Sequence, residues 1–263
     1  MQQAEDFGAE SAALADMLET LAPDDWRRPT RFKGWTPDDV LVHLHFWNRA
    51  QDLALTDPDR LRSEIAAVGA AMAEGRGRAH ENAAVRERGR DLLAAWRAYA
   101  ADMAERWRAV DPKRRLPWVG PDMSARSAMT ARQMETWAHG QAIYDLMGLE
   151  RAEHDRIRNI VFLGVGAFAW SFHVQGLPKP AAEPCLRLTA PSGALWEYGA
   201  PRDDERIVGP AVDFARVVTQ TRNVADTALD VTGPTATLWM RTAQCFAGPR
   251  ERPPAPGERL REA

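Results

Sequence analysis

Glu135 and His139 stand four residues apart, about one turn of an α-helix, so their side chains leave the same helical face. Ala131, Ala138, Ala142 and Leu146 share that arc, which makes it a small, apolar stripe suited to facing a core. A carboxylate buried there alone is costly. A divalent cation offsets that cost and fixes both side chains. A plain Glu–His hydrogen bond, or a partly exposed helix face, also accommodates the pair, and the pair alone does not choose between these readings. A third donor shifts the balance. His43 lies at the edge of a second stripe formed by Val40, Leu44 and Trp47, whereas His45 projects with Asn48 and Asp52 toward the polar side of the same segment. Two imidazoles and one carboxylate suit zinc, and also nickel, iron or manganese. Three protein ligands leave a position for water or substrate, as catalytic sites do and closed structural sites do not. His43, Glu135 and His139 are therefore the candidate metal ligands, against the ordinary alternative of satisfied core or surface imidazoles.

The first half of the chain must supply the helices that bring these residues together. Residues 4–21 carry apolar residues at helical spacing, and Pro23 follows. Thr36-Pro37-Asp38-Asp39 is a helix start: Thr caps, Pro suits the first helical position, and the two acids favour the positive end of the dipole. That helix carries His43 and breaks at Asp57-Pro58. Residues 59–74 and 81–109 also read as helical, across a Gly/Arg-rich turn. DPKRRLPWVGPDMS reads as a long loop. Thr130 and Gln133 form a capping-box pattern, predicting a helix from Thr130 to near Gly148. Helices with short breaks suggest an up-and-down bundle over residues 1–150.

The second half changes character. Residues 153–173 read as one more helix; CLRLTA and ALWEYG as a hairpin across Pro-Ser-Gly; ERIVG and ALDVTG as further strands. AVDFARVVTQ and TATLWMRTAQCF read as helices behind Gly-Pro pairs. The expected architecture is α plus (α+β): the bundle, a smaller α+β domain over 151–248, and a disordered Pro/Gly/charge-rich tail over 249–263.

Composition excludes several classes. The net charge of −3 offers no basic excess for nucleic acid. No apolar run approaches the length needed to span a bilayer, so no membrane role is expected. The N-terminus carries acids where a signal peptide carries bases, which predicts a cytoplasmic protein. Cys185 and Cys245 form no CxxC pattern and are expected to be reduced thiols.

WTPDDVLVHLHFW and RQMETWAHGQAI together resemble the two signatures of the DinB-like metal-binding bundle proteins, and most closely their mycothiol-dependent maleylpyruvate isomerase-like branch. The resemblance spans residues 5–150 and implies ligands at His43, in Val42-His43-Leu44, and at Glu135 and His139, in E-T-W-A-H-G. It implies an N-terminal metal-binding four-helix bundle and a smaller C-terminal domain, which here resembles that of one subgroup and, in part, a domain of wyosine-base biosynthesis proteins. No iron–sulfur cysteine pattern accompanies that likeness.

What the resemblance implies about function is a metal-dependent enzyme of small-thiol chemistry, an isomerase or thiol S-transferase, using mycothiol or another low-molecular-weight thiol and a small-molecule substrate. A homodimer is compatible with it. Arg222 is the expected anion partner for thiol or substrate, as a catalytic or cofactor-binding residue, and an exposed or helix-terminal arginine is the alternative. His173 is a further cleft candidate with a structural role as its default. A rival reading is a non-catalytic metal-anchored sensor or carrier with an apolar cleft built from Trp47, Trp137 and Trp170. The chain departs from the subgroup at two places: Gln141 stands where an Asp is usual, and Thr221-Arg222-Asn223 keeps one basic residue of a usual pair.

Overall fold

The computed structural model describes residues 1–119 and 122–260. Its contacts divide the chain into two units, Met1–Gly140 and Gln141–Ala263. The division falls inside a helix, ten residues before the boundary expected from the sequence.

The first unit is helical. α1 (Gln2–Leu18) packs on α5 (Gly89–Arg108), and α5 packs on α2 (Pro37–Thr56). α3 (Pro58–Ala73) and the short α4 (Gly77–Ala84) lie against α2. The α2 start forms as its residues dictate: Thr36 accepts from the Asp39 backbone N–H, Asp39 accepts from the Thr36 N–H, and Pro37 opens the helix. The Asp57 side chain then ends one helix and caps the next by accepting from Arg60 N–H. Residues 81–109 are not one helix, because Val85–Arg88 are non-helical. Phe7, Leu61, Met103, Trp107 and Met129 are core residues of this unit.

In the segment expected to be a plain loop, β1 (Arg115–Leu116) pairs with β2 (Met123–Ser124), antiparallel. α6 (Ala125–Leu146) follows directly. Thr130 is thus a buried mid-helix residue rather than a cap. Ser124, whose hydroxyl accepts from Ser127 N–H at 3.1 Å, does the capping instead. Gly140 lies close to α1: a Cβ there would meet Leu14 Cδ1 at 3.1 Å. The His-Gly pair therefore has a packing reason, since the glycine lets α1 approach beside His139.

The second unit is α+β. The stretch expected as one helix is broken at Ala167 into α7 (Arg158–Gly166) and α8 (Phe168–Val174). β3 (Cys185–Thr189) and β4 (Leu195–Tyr198) form the antiparallel hairpin across Pro191-Ser192-Gly193. β5 (Arg206–Pro210) pairs parallel to β3, and β6 (Asp230–Thr232) antiparallel to β5, giving the order β4-β3-β5-β6. α9 (Ala211–Val218) packs on β3, β5 and α7, with Gly164 beneath Val218 and Phe214. α10 (Pro234–Thr242) packs on α8 and β6 and ends before Gln244-Cys245-Phe246, earlier than the pattern suggests.

The tail expected to be disordered is held to this unit over its described residues, 249–260, with 261–263 lying outside them: Asn223 donates to Pro254 O, Asp226 accepts from Gly257 N–H, and Arg259 donates to Gln220 O. These bonds supply the order that its composition does not. Cys185 and Cys245 are both buried. Among the described residues, no single helix is long and apolar enough to cross a membrane.

Candidate metal centre

α2 and α6 bring His43, Glu135 and His139 together, with their ligand atoms within 4.8 Å of one another. His139 Nε2 lies 3.0 Å from Glu135 Oε2, and His43 Nε2 lies 3.7 Å from the same oxygen. A tetrahedral ion with bonds of about 2.1 Å separates its ligands by about 3.4 Å. These two separations bracket the spacing that one ion requires, and the chemistry of the three donors fits it.

The surroundings turn the donors toward that point. His43 Nδ1 is 3.1 Å from Glu81 Oε1, which leaves Nε2 facing Glu135. Glu81 is buried and fully engaged: Trp47 Nε1 donates to Oε1 at 2.9 Å, and Arg78 donates to Oε2 at 2.6 Å. Arg78 also donates to Asp39 Oδ1, the acid of the α2 capping box. One chain of polar contacts therefore runs from the start of α2 through α4 to the His43 ring.

Aromatic residues close the other side. The turn Phe32-Lys33-Gly34-Trp35 has positive φ at Lys33 and Gly34 and is pinned by Trp35 N–H donating to Phe32 O. It lays the Trp35 ring parallel to His139, with centroids 5.5 Å apart, and sets Phe32 edge-on at 5.1 Å. Arg78 sits over the outer part of this wall, 4.2 Å from the Trp35 centroid. Trp47 and Trp118 meet at 5.8 Å on the flank.

Burial and partners set the charges. Burial pulls the His43 imidazole down, but its hydrogen bonds to Glu135 and Glu81 outweigh that and hold it above the usual histidine value. At His139 burial wins over the contact with Glu135, so its pKa is lowered. Burial would raise Glu135, yet the hydrogen bonds from His139 and His43 hold it well below the ordinary carboxylate range. An ionised Glu135 and a neutral His139 are the forms that coordinate a cation. Glu81 is also lowered, its burial outweighed by His43, Trp47 and Arg78.

Trp47 stands at the centre through Glu81. Trp137 is fully buried in the core. Trp170 donates to Phe246 O within the second unit, and His173 there is exposed. Arg222 is neither exposed nor unpaired: its guanidinium grips Asp145 with two bonds of 2.6 and 2.8 Å, both residues buried. Gln141 donates to the same Asp145 at 2.9 Å. His45 is buried, edge-on to Tyr99, so the polar side of α2 faces α5 rather than solvent, with Asp52 accepting from Tyr99, Arg106 and Trp107.

Sequence reasoning missed Glu81, Phe32, Trp35, Arg78 and Arg132. Trp35 was legible as part of the Trp-Thr-Pro start. The others carry no local signal, because their roles depend on which helix lies across from α2. An open depression on the sheet of the second unit, lined by Arg187, Arg202 and Arg206, has these arginines paired with Glu197, Asp204 and Asp230.

A family model, the mycothiol maleylpyruvate isomerase N-terminal domain, matches residues 7–144. Two uncharacterised proteins, from two strains of Mycobacterium tuberculosis, are 37% identical to the chain over 249 residues, covering 94% of it and 96% of each relative. The crystal structure of the mycothiol-dependent maleylpyruvate isomerase superposes with a TM-score of 0.52 at 14% identity, over 82% of this chain and 87% of that one. A point mutant of that isomerase gives a TM-score of 0.51.

Proposed function

The chain belongs to the mycothiol maleylpyruvate isomerase N-terminal domain family, and from that premise we propose that it is a metal-dependent enzyme that activates a small thiol at His43, Glu135 and His139. The observation that carries this reading is the meeting of two imidazole nitrogens and one ionised carboxylate beside a single point, with His43 oriented by a buried Glu81. We take α1, α2, α5 and α6 as the four helices of the bundle that holds the centre.

A divalent ion held there, zinc by preference on donor type, supplies Lewis acidity that lowers the pKa of a thiol or water in the open position. The chain's own residues do the rest. Glu135 provides the compensating negative charge. Glu81 fixes the His43 tautomer, with the proton on Nδ1 and the lone pair on Nε2. Phe32, Trp35 and Trp47 exclude water from one side of the centre and give an apolar wall for a substrate.

Two reactions suit such a site. A thiol can add to the double bond of a cis-enoic acid, permit rotation about the resulting single bond, and leave, with no net redox change. It can instead remain attached to an electrophile, as in S-transfer. The solved isomerase supports the first by its name, and mycothiol is the thiol that name supplies.

Native mass spectrometry of the full chain loaded with zinc, with mycothiol or bacillithiol added, tests the proposal. It should report one ion per chain and thiol binding that disappears on chelation. Incubation with maleylpyruvate and mycothiol should then show metal-dependent loss of the cis substrate. Metal binding without thiol binding or turnover would favour a sensor or carrier, and absence of metal would remove the chemistry altogether.

A further inference from the structure

Arg132 stands one turn before Glu135 on α6, and its environment is unusual for an arginine. The side chain is 6% exposed. Among the described residues, its Nε and Nη1 have no hydrogen-bond partner. Glu135 Oε1 lies 4.0 Å from Nη2, at the limit of an ion pair. The guanidinium carbon lies 5.9 Å from the Trp118 ring centroid, and Trp118 in turn meets Trp47. A buried guanidinium with most of its donors idle is expensive, far more so than one at the surface. Glu135 cannot supply the missing bonds as a metal ligand, because its charge is then shared with the ion and its Oε2 faces the two histidines.

From this geometry we propose that Arg132 is a binding residue for a carboxylate on the small molecule that occupies the metal centre, with Trp47 and Trp118 flanking its carbon body. The guanidinium has two bidentate edges, Nε with Nη2 and Nη1 with Nη2, and each presents one idle donor beside Nη2 to match two carboxylate oxygens. A carboxylate docked on either edge engages an idle donor and neutralises the charge that burial penalises. The same residue discriminates against the neutral amide or ester of the same acid, which leaves the guanidinium uncompensated. The carboxylate can come from the thiol or from an unsaturated acid substrate, and the chemistry at Arg132 is the same for both. The inference rests on the metal centre proposed above.

The test uses the full chain loaded with cobalt(II), whose thiolate charge-transfer band reports a thiol at the metal, while Trp47 and Trp118 report ligand binding by fluorescence with or without metal. Two probe pairs are titrated: 3-mercaptopropionate against its amide, and maleate against maleamide. Wild type should bind at least one acid about tenfold tighter than its amide, the worth of a charge-assisted bond pair. R132Q should reduce that preference to about twofold or less while amide affinity changes little, and R132K, which keeps the charge without the fork, should fall between. Preference in the mercaptopropionate pair assigns the carboxylate to the thiol; preference in the maleate pair assigns it to the substrate. No preference in wild type, or the same preference in R132Q, overturns the proposal. A charge-transfer band absent with both thiols counts against the metal centre instead, and the fluorescence preference then still decides the role of Arg132.

Discussion

Glu81 Oε1 and His43 Nδ1 lie 3.1 Å apart although 38 residues separate them in the chain, and this contact decides which nitrogen of the ring is left for a metal. The acid comes from α4, an eight-residue helix whose placement against α2 depends on Arg78 bridging Asp39 and Glu81. Removing the charge at Glu81 leaves all three proposed ligands in place and frees the His43 ring to turn or change tautomer. E81Q should therefore weaken zinc binding about 10- to 100-fold, the usual cost of losing an outer partner of a ligand histidine. Competition against a chromophoric chelator measures this. Equal affinity in wild type and E81Q would show that His43 is oriented by packing alone.

The ligand set itself makes a sharper contrast. H43A, E135A and H139A should each lose most bound metal by elemental analysis, and H45A should retain it, since His45 turns toward Tyr99 and not toward Glu135. Zinc at about 100 times its dissociation constant should stabilise wild type by roughly 2.7 kcal/mol. Its Tm should rise accordingly, and that of H139A should not move. Occupancy lost in H45A and kept in H43A would assign the coordination to the wrong imidazole.

What the sequence made legible, and what it hid, follows from the range of the forces involved. The α2 start was readable because capping is local: Thr36, Pro37 and Asp39 act within four residues. Glu135 and His139 were readable because one helical turn relates them. The start of α6 was misread because Thr130 and Gln133 imitate a capping box, while a short β1–β2 pairing delivers Ser124 to the true cap five residues before Thr130's predecessor in the helix interior. Glu81, Phe32 and Arg132 were illegible because nothing near them in sequence says that a histidine or a tryptophan of another segment faces them. Arg222 was noticed, but its partner Asp145 lies 77 residues away on another element.

That pair gives a prediction about stability. Asp145 receives two bonds from Arg222 and one from Gln141, and both charges are about nine-tenths buried. Deleting one partner strands the other charge. R222A should cost about 3–5 kcal/mol in urea unfolding, and D145A a similar amount. The double variant should cost less than the sum, because neither stranded charge remains. Strictly additive losses would mean that water already reaches the pair.

His45 supplies the pH dependence. Burial, reinforced by the charge of Arg49, pulls its pKa from 6.5 down to about 4, and among the described residues Nδ1 has no hydrogen-bond partner. In the unfolded chain the ring takes its proton near the usual value, so below that value the unfolded state binds more protons than the folded one and stability falls as pH falls. The loss runs from about pH 6.5 to about pH 4 and then stops, because below the folded pKa both states are protonated. Between about pH 8 and about pH 5 this single ring should remove about 2 kcal/mol. H45F keeps an aromatic ring edge-on to Tyr99 but cannot titrate. Urea unfolding of both proteins at the two pH values isolates the contribution, since His43 and His139 are common to both. Wild type should lose about 2 kcal/mol more than H45F on acidification. Parallel losses would mean that the buried ring is protonated in the folded protein, with an acceptor or water at Nδ1.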